Sequence, residues 1–199
     1  MSKLAIIDSG GANIASLLFA FQRLGIEAAL TADPDTVRNA DRVLLPGVGA
    51  ARDAMRRLSD AGLTDVIRGL DQPVLGICLG MQLLCEASEE EDVECLGIVP
   101  GVARKLDVTD DCVVPNMGWC AATRRSEHPV LEGIENGSWF YFLHSYALPV
   151  TETTLATAQH SSEFTAVLGR DNFVAAQFHP ERSSAAGARL LRNFVGWQP

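Results

Sequence analysis

The first half of the chain alternates short apolar runs with segments whose apolar residues recur every three or four positions. Leu4-Ala5-Ile6-Ile7 is an unbroken apolar run that stops at Asp8-Ser9-Gly10-Gly11. A helical pattern follows to about Leu24, with Ile14, Leu17, Leu18, Phe21 and Leu24 on one face. Gly25 stands where such a helix ends, because glycine accepts the left-handed closing conformation. Positions 26–31 read as a second strand and 42–45 as a third, followed by a Pro46-Gly47-Val48-Gly49 loop and a helix over 50–58. A fourth buried strand is predicted over 73–77 and a helix over 79–87. Strands that are apolar throughout need cover on both faces, and their alternation with helices predicts a mostly parallel sheet flanked by helices.

From about residue 96 the pattern changes to short strands rich in β-branched and aromatic residues, at 99–106, 138–143, 154–159, 164–168 and 173–178. Turn sequences such as Glu135-Asn136-Gly137 and Gly169-Arg170-Asp171-Asn172 join them, which predicts an added antiparallel region. A last helix over 184–195 gathers Leu190, Leu191, Phe194 and Val195 on one side. Without a linker, repeat or low-complexity tract, 1–199 reads as one α/β domain. The acidic run Glu89-Glu90-Glu91-Asp92 reads as a solvated loop.

Composition narrows the function classes. Hydrophobic residues make up 47% of the 199 positions, enough for a substantial core. Asp and Glu outnumber Lys and Arg by 25 to 16, and no basic cluster appears, which argues against nucleic acid or an anionic membrane surface as partner. The five cysteines, at 78, 85, 95, 112 and 120, are odd in number and contain no Cys-x-x-Cys pair. They fit neither a disulfide framework nor a zinc site, and reduced thiols imply a cytoplasmic protein. No run of about 20 apolar residues occurs, and the N-terminal apolar stretch is too short for a signal sequence.

The sharpest chemical feature is Gly76-Ile77-Cys78-Leu79-Gly80, between a predicted strand and a predicted helix. Its spacing is that of a nucleophile elbow with Cys in place of Ser. A nucleophile on so tight a turn leaves no room for a Cβ two residues away on either side, and the helix that follows directs its positive end at the thiol. The same pentapeptide also suits a structural cysteine between packing glycines. A base and its orienting partner are available in His179-Pro180-Glu181, directly after the predicted strand 173–178. Residues two apart in an extended chain face the same way, so Glu181 can hold one imidazole nitrogen while the other faces the thiol. Oxyanion donors are expected from the amide of Leu79 and from Val48 in the glycine-bearing loop. His128 and His160 read as turn or strand-end residues, and His144 as structural support. No set of His, Cys, Asp and Glu has metal spacing.

With these elements placed, the chain resembles the class I (triad-type) glutamine amidotransferases over essentially its whole length. Pro46-Gly47-Val48-Gly49 with Asp53-Ala54-Met55, Gly76-Ile77-Cys78-Leu79-Gly80-Met81-Gln82, and Leu96-Gly97-Ile98-Val99-Pro100-Gly101 are similar to the glutaminase branch serving imidazole glycerol phosphate synthase. So are Met117-Gly118-Trp119, Tyr141-Phe142-Leu143-His144-Ser145-Tyr146 and Gln177-Phe178-His179-Pro180-Glu181. The resemblance implies a flavodoxin-like fold, a Cys78-His179-Glu181 triad that hydrolyses glutamine, and no metal or organic cofactor. By motif position it implies that Gln82 and Glu90 bind the amino-acid head of glutamine, assisted by Gly47, Gly49, Ser145 and Tyr146. It further implies that ammonia passes to a (β/α)8-barrel cyclase subunit in a heterodimer, met by Asn13, Asn116, Met117, Trp119, Tyr141 and Arg182.

The departures from the family pattern fall on that partner side. Asn116 and Cys120 stand where the family has His and Asn, Arg182 where it has Lys, and Ser9-Gly10-Gly11-Ala12-Asn13 where it begins Tyr-Gly-x-Gly-Asn. Arg182 keeps the charge but presents a planar fork. Two other readings stay open on the residues alone: a paralogue feeding ammonia to a different synthase, and a non-catalytic binding module of the same fold.

Overall fold

A computed structural model describes residues 3–9 and 14–199. The first half comprises β1 (Leu4–Ile7), α1 (Ile14–Arg23), β2 (Ala28–Thr31), α2 (Pro34–Arg38), β3 (Arg42–Gly47), α3 (Ala51–Asp60), α4 (Thr64–Arg68), β4 (Val74–Cys78) and α5 (Leu79–Leu84). Short strands follow: β5 (Ala87–Ser88), β6 (Val93–Glu94), β7 (Val102–Lys105), β8 (Asn116–Arg124), β9 (Trp139–His144) and β10 (Tyr146–Ala147). The chain ends through β11 (Thr154–Gln159), β12 (Glu163–Arg170), β13 (Phe173–Ala176) and α6 (Ser184–Gly196).

Nine strands form one sheet in the order β2-β1-β3-β4-β13-β12-β11-β8-β9. The first five are parallel and the remainder antiparallel. The alternation of side chains explains the layering. Leu4, Ile6, Leu44, Leu75, Ile77, Val174 and Ala176 face α1 and α6 in one apolar core. Their neighbours Ala5, Ile7, Val43, Leu45, Val74, Phe173 and Ala175 face α3, α4 and α5 in the other. Gly25 closes the turn after α1 at φ +73°, as its placement predicts. A smaller sheet, β10-β7-β5-β6, carries the acidic run between β5 and β6.

Two expectations need correction, and some elements carry no signal in the sequence. The predicted loop at 46–49 starts later, because β3 runs on through Pro46 and Gly47, which pair with Ile77 and Cys78. The pairing of β3 with β1 ends at Leu44, so the N–H that Pro46 lacks is owed to no strand. The helix predicted over 79–87 stops at Leu84, where Cys85 turns extended into β5. Helices α2 and α4, five residues each, are too short to show a period, although Asp33 caps α2 through Thr36 N at 2.9 Å. Strand β8, nine residues long, carries Gly118 and exposed apolar residues among half-buried ones, and so lacks the alternation that marks a strand.

Candidate active site

Cys78 ends β4 at φ +54° and ψ −112°, a conformation that L-residues rarely hold. The glycines around it are required by space. A Cβ on Gly80 would lie 1.8 Å from the carbonyl oxygen of Leu45, and one on Gly76 3.0 Å from the Cβ of Ala175. A Cβ on Gly47 would meet the backbone nitrogen of Gly80 at 2.9 Å. β3, the elbow and α5 therefore close on one another only with all three side chains absent. α5 has six residues, so it offers the thiol the free N–H groups of its first turn, Leu79 among them, rather than a long dipole.

The imidazole of His179 lies close enough to the Cys78 thiol to feel its charge. Its Nδ1 is 3.0 Å from Oε1 of Glu181, whose side chain is almost wholly buried. Burial opposes a charge on the ring, but hydrogen bonds and charge from Cys78 and Glu181 outweigh it and push the imidazole up to about 10. The ring is thereby kept protonated through neutral pH, ready to give a proton to a leaving group. Ser183, for which the sequence gives no expectation, fixes the turn that carries it. Its hydroxyl donates to the carbonyl of His179 at 2.7 Å and accepts from the N–H of Tyr141 at 2.9 Å. The His179 N–H donates to the carbonyl of Tyr141 at 2.9 Å.

The residues expected at a glutamine head group divide. Gln82 is buried on α5, and its Nε2 donates to the Tyr146 carbonyl at 2.8 Å and to Oε1 of Gln177 at 3.1 Å. Gly47 lies in β3 beside Cys78, Val48 follows it half-buried, and Gly49 is exposed at φ +91°. The Ser145 carbonyl already accepts from Leu106 N at 2.9 Å. The acidic run is a turn with Glu89, Glu91 and Asp92 exposed, as its composition predicts, but it is tied down at several points. Glu90 accepts from the Ala51 N–H at the start of α3 at 2.9 Å, Glu89 from Lys105 N at 3.1 Å, and Glu91 pairs with Arg52 at 3.5 Å. The run ties β5 and β6 to α3 and β7, and its half-buried carboxylate, Glu90, lies at the end of the β3–α3 loop.

On β8 and β9, Met117, Trp119, Leu143 and Trp139 expose apolar side chains, with Trp119 paired across from Tyr141. Trp119 and Tyr141 meet edge to face at 6.1 Å between centroids, and the Arg182 guanidinium lies 4.5 Å above the Tyr141 ring. Asn116, expected on the same face, is 3% exposed and turned inward, with Nδ2 3.0 Å from Nε2 of His144. The reason is strand parity, which puts Asn116 on the opposite side from Met117. Asn13 lies outside the described residues. His144 is buried as structural support, and burial, opposed by its contact with the Tyr146 carbonyl, lowers it to about 4. Among the described residues, no group of three or more His, Cys, Asp or Glu could hold a metal ion, and no helix is long and apolar enough to cross a membrane.

A thiol on a strained elbow, a protonated imidazole held by a carboxylate, and free amides beside both can carry out acyl transfer through a thioester. Comparison with known proteins agrees with that chemistry. Residues 5–197 match the family model "Glutamine amidotransferase class-I". The chain is 48% identical over 195 residues to the imidazole glycerol phosphate synthase subunit HisH of Xanthomonas euvesicatoria pv. vesicatoria, covering 98% of each chain. It is 44% identical over 199 residues to subunit HisH 1 of Vibrio vulnificus, covering 97% of each. Among solved structures, a glutamine amidotransferase superposes with a TM-score of 0.73 at 18% identity, covering 97% of each chain. PurLQS from Thermotoga maritima gives 0.72 at 14% identity, covering 98% of this chain and 99% of that one. These two likenesses speak for the fold alone.

Proposed function

The chain belongs to the class I glutamine amidotransferase family, as a glutaminase subunit of imidazole glycerol phosphate synthase in histidine biosynthesis, and we propose that its chemistry runs through Cys78, His179 and Glu181. The observation that carries this assignment of roles is the Cys78 elbow at φ +54° facing an imidazole held by Glu181 at 3.0 Å. The Cys78 sulfur attacks the side-chain amide carbon of glutamine, and the carbonyl π electrons move onto oxygen. The amides of Leu79 and Val48 receive that oxyanion. His179 gives its proton to the leaving nitrogen as the C–N bond breaks, which releases ammonia and leaves a thioester. Neutral His179 then takes a proton from water, which attacks the thioester, and glutamate departs as the sulfur takes the C–S electron pair. Glu181 keeps the ring in one orientation throughout.

Gln82, whose two amide protons are spent on the Tyr146 carbonyl and Gln177, offers its oxygen together with the Glu90 carboxylate to the ammonium of the substrate's amino-acid head, assisted by the Gly47, Gly49, Ser145 and Tyr146 backbone. A substrate ammonium competes with the Ala51 N–H for the Glu90 carboxylate, and a charged partner is the stronger. As a synthase subunit the chain works with a partner subunit. That partner is a (β/α)8-barrel cyclase docked on Met117, Trp119, Tyr141 and Arg182, and the ammonia passes into it. An apolar face with an arginine over a tyrosine is typical of a protein interface. The deciding measurement is glutamate release by the wild-type chain and by Cys78→Ala, each with and without the cyclase and its nucleotide substrate. Turnover that survives Cys78→Ala sinks the triad.

A further inference from the structure

Gln177 is fully buried, two residues before His179, and none of the chemistry above uses it. Its N–H is spent on the Ala166 carbonyl at 2.9 Å, so the question concerns its side chain. In β13, Val174 and Ala176 face α1 and α6, while Phe173 and Ala175 face α5. Continuing that alternation puts Gln177 on the α5 side, with Gln82 and the elbow, and Phe178 in the opposite core.

The orientation of the Gln177 amide follows from its neighbours. A carbonyl oxygen can only accept, so the Tyr146 carbonyl forces Gln82 to present its NH₂ group at 2.8 Å. The other proton of that NH₂ points to Gln177, 3.1 Å away, and must meet an oxygen. The nitrogen of Gln177 is therefore the end that faces Cys78, with Nε2 3.9 Å from Sγ. On the far side the same Tyr146 carbonyl accepts from His144 Nδ1 at 2.9 Å, and His144 Nε2 then accepts from Asn116 Nδ2 at 3.0 Å. Every member of this buried chain has one allowed direction, and its last donor is aimed at sulfur.

We propose that Gln177 is a further catalytic residue of this site, donating its amide N–H to the Cys78 sulfur when that sulfur carries negative charge, and holding Gln82 in position through its oxygen. A thiol gains little from such a donor and a thiolate gains much, because hydrogen bonds to charged acceptors are the strong ones. The donor acts when the sulfur is free to attack and again when the thioester breaks and the C–S pair returns to sulfur. It is relaxed in the thioester, whose sulfur is neutral. The proposal rests on Cys78 being the glutaminase nucleophile.

Two variants separate the two ends of the side chain. Gln177→Glu keeps an acceptor for Gln82 but removes the N–H from the sulfur, and Gln177→Met removes both. The rate of Cys78 alkylation by iodoacetamide is read on the full-length chain by peptide mass spectrometry, and kcat and KM for glutamine on its complex with the cyclase. We expect both variants to slow alkylation of Cys78 about tenfold or more at neutral pH. In Gln177→Glu kcat falls by a similar factor while KM stays within about threefold, whereas in Gln177→Met KM rises as well. A merely structural role would leave the alkylation rate alone. Folded variants, by unchanged circular dichroism, that are alkylated at the wild-type rate overturn the role of Gln177 and leave the glutaminase standing. A wild-type Cys78 that a diazoketone analogue of glutamine fails to label overturns the glutaminase and the Gln177 role together.

Discussion

His179 and His144 are buried to nearly the same degree, 6% and 5% exposed, yet their protonation goes in opposite directions. His179 faces a thiol and a carboxylate and is pushed up to about 10, while His144 faces an amide nitrogen and a carbonyl and is pushed down to about 4. Burial opposes charge at both, so the difference is made by what the second ring nitrogen and the neighbouring strand supply. In the proposed mechanism the first histidine is the proton donor. The other is a neutral strut between the apolar face on β8 and β9 and the floor of the site.

That contrast can be broken most sharply at the charged end. Cys78→Ala removes the nucleophile and one partner of His179, and glutamate release by the complex should fall by at least about 10⁴-fold. Glu181→Gln preserves the shape but not the charge, and loss of the ring's orientation and of its proton should lower kcat by about 10³-fold with little change in KM. The corresponding change at the neutral histidine, His144→Gln, should cost less than about tenfold in turnover, since it disturbs the Asn116 amide and the Tyr146 carbonyl behind Gln82 but neither proposed reacting group. Equal losses from Glu181→Gln and His144→Gln would erase the distinction. Between these regions, Trp119→Ala on the apolar face should weaken cyclase binding by about 2 kcal/mol, or some 30-fold in Kd, measured by calorimetry with glutaminase chemistry unaltered once the complex is saturated.

The two histidines also differ in how far the chain announces them. The proposed triad is legible because steric need writes itself into spacing: Gly76 and Gly80 flank Cys78 since a Cβ at either meets backbone or a packed side chain, and Glu181 is two residues from His179, although a 3-10 turn over Pro180–Arg182, and not the extended segment expected, brings the two side chains together. The parallel core is legible for a similar reason, since strands such as Val74–Cys78 are apolar on both faces. The polar chain from Asn116 through His144, Tyr146 and Gln82 to Gln177 is not. Its members are far apart in sequence or joined through a backbone carbonyl, and only the pairing of β8 with β9 and the packing of α5 on β13 bring them together. The surface position expected for Asn116 failed for the same reason, because β8 had no visible parity. The Glu90 contact with Ala51 is likewise a meeting of two loops that no local pattern encodes.

The smallest effect separates the histidines without any substrate. In the unfolded chain an ordinary histidine takes up a proton near 6.5, whereas His144 in the folded chain refuses it until about 4. As pH falls through that window the unfolded state binds more protons than the native one, so stability is lost on the acid side, by about 1 kcal/mol between pH 7 and 5.5. His179 has the reverse sign: its folded value lies above the unfolded one, so its contribution is complete below about 6.5 and is lost as pH rises toward about 10. Urea midpoints measured across pH should show His144→Gln flattening the acid limb and His179→Gln flattening the alkaline one, each relative to wild type. Carboxylates also titrate at low pH, so the reading is the difference between the two curves rather than either slope. A His144→Gln curve parallel to wild type from pH 7 to 5.5 would mean that the native site accepts the proton freely, and the neutral strut would then have no physical basis.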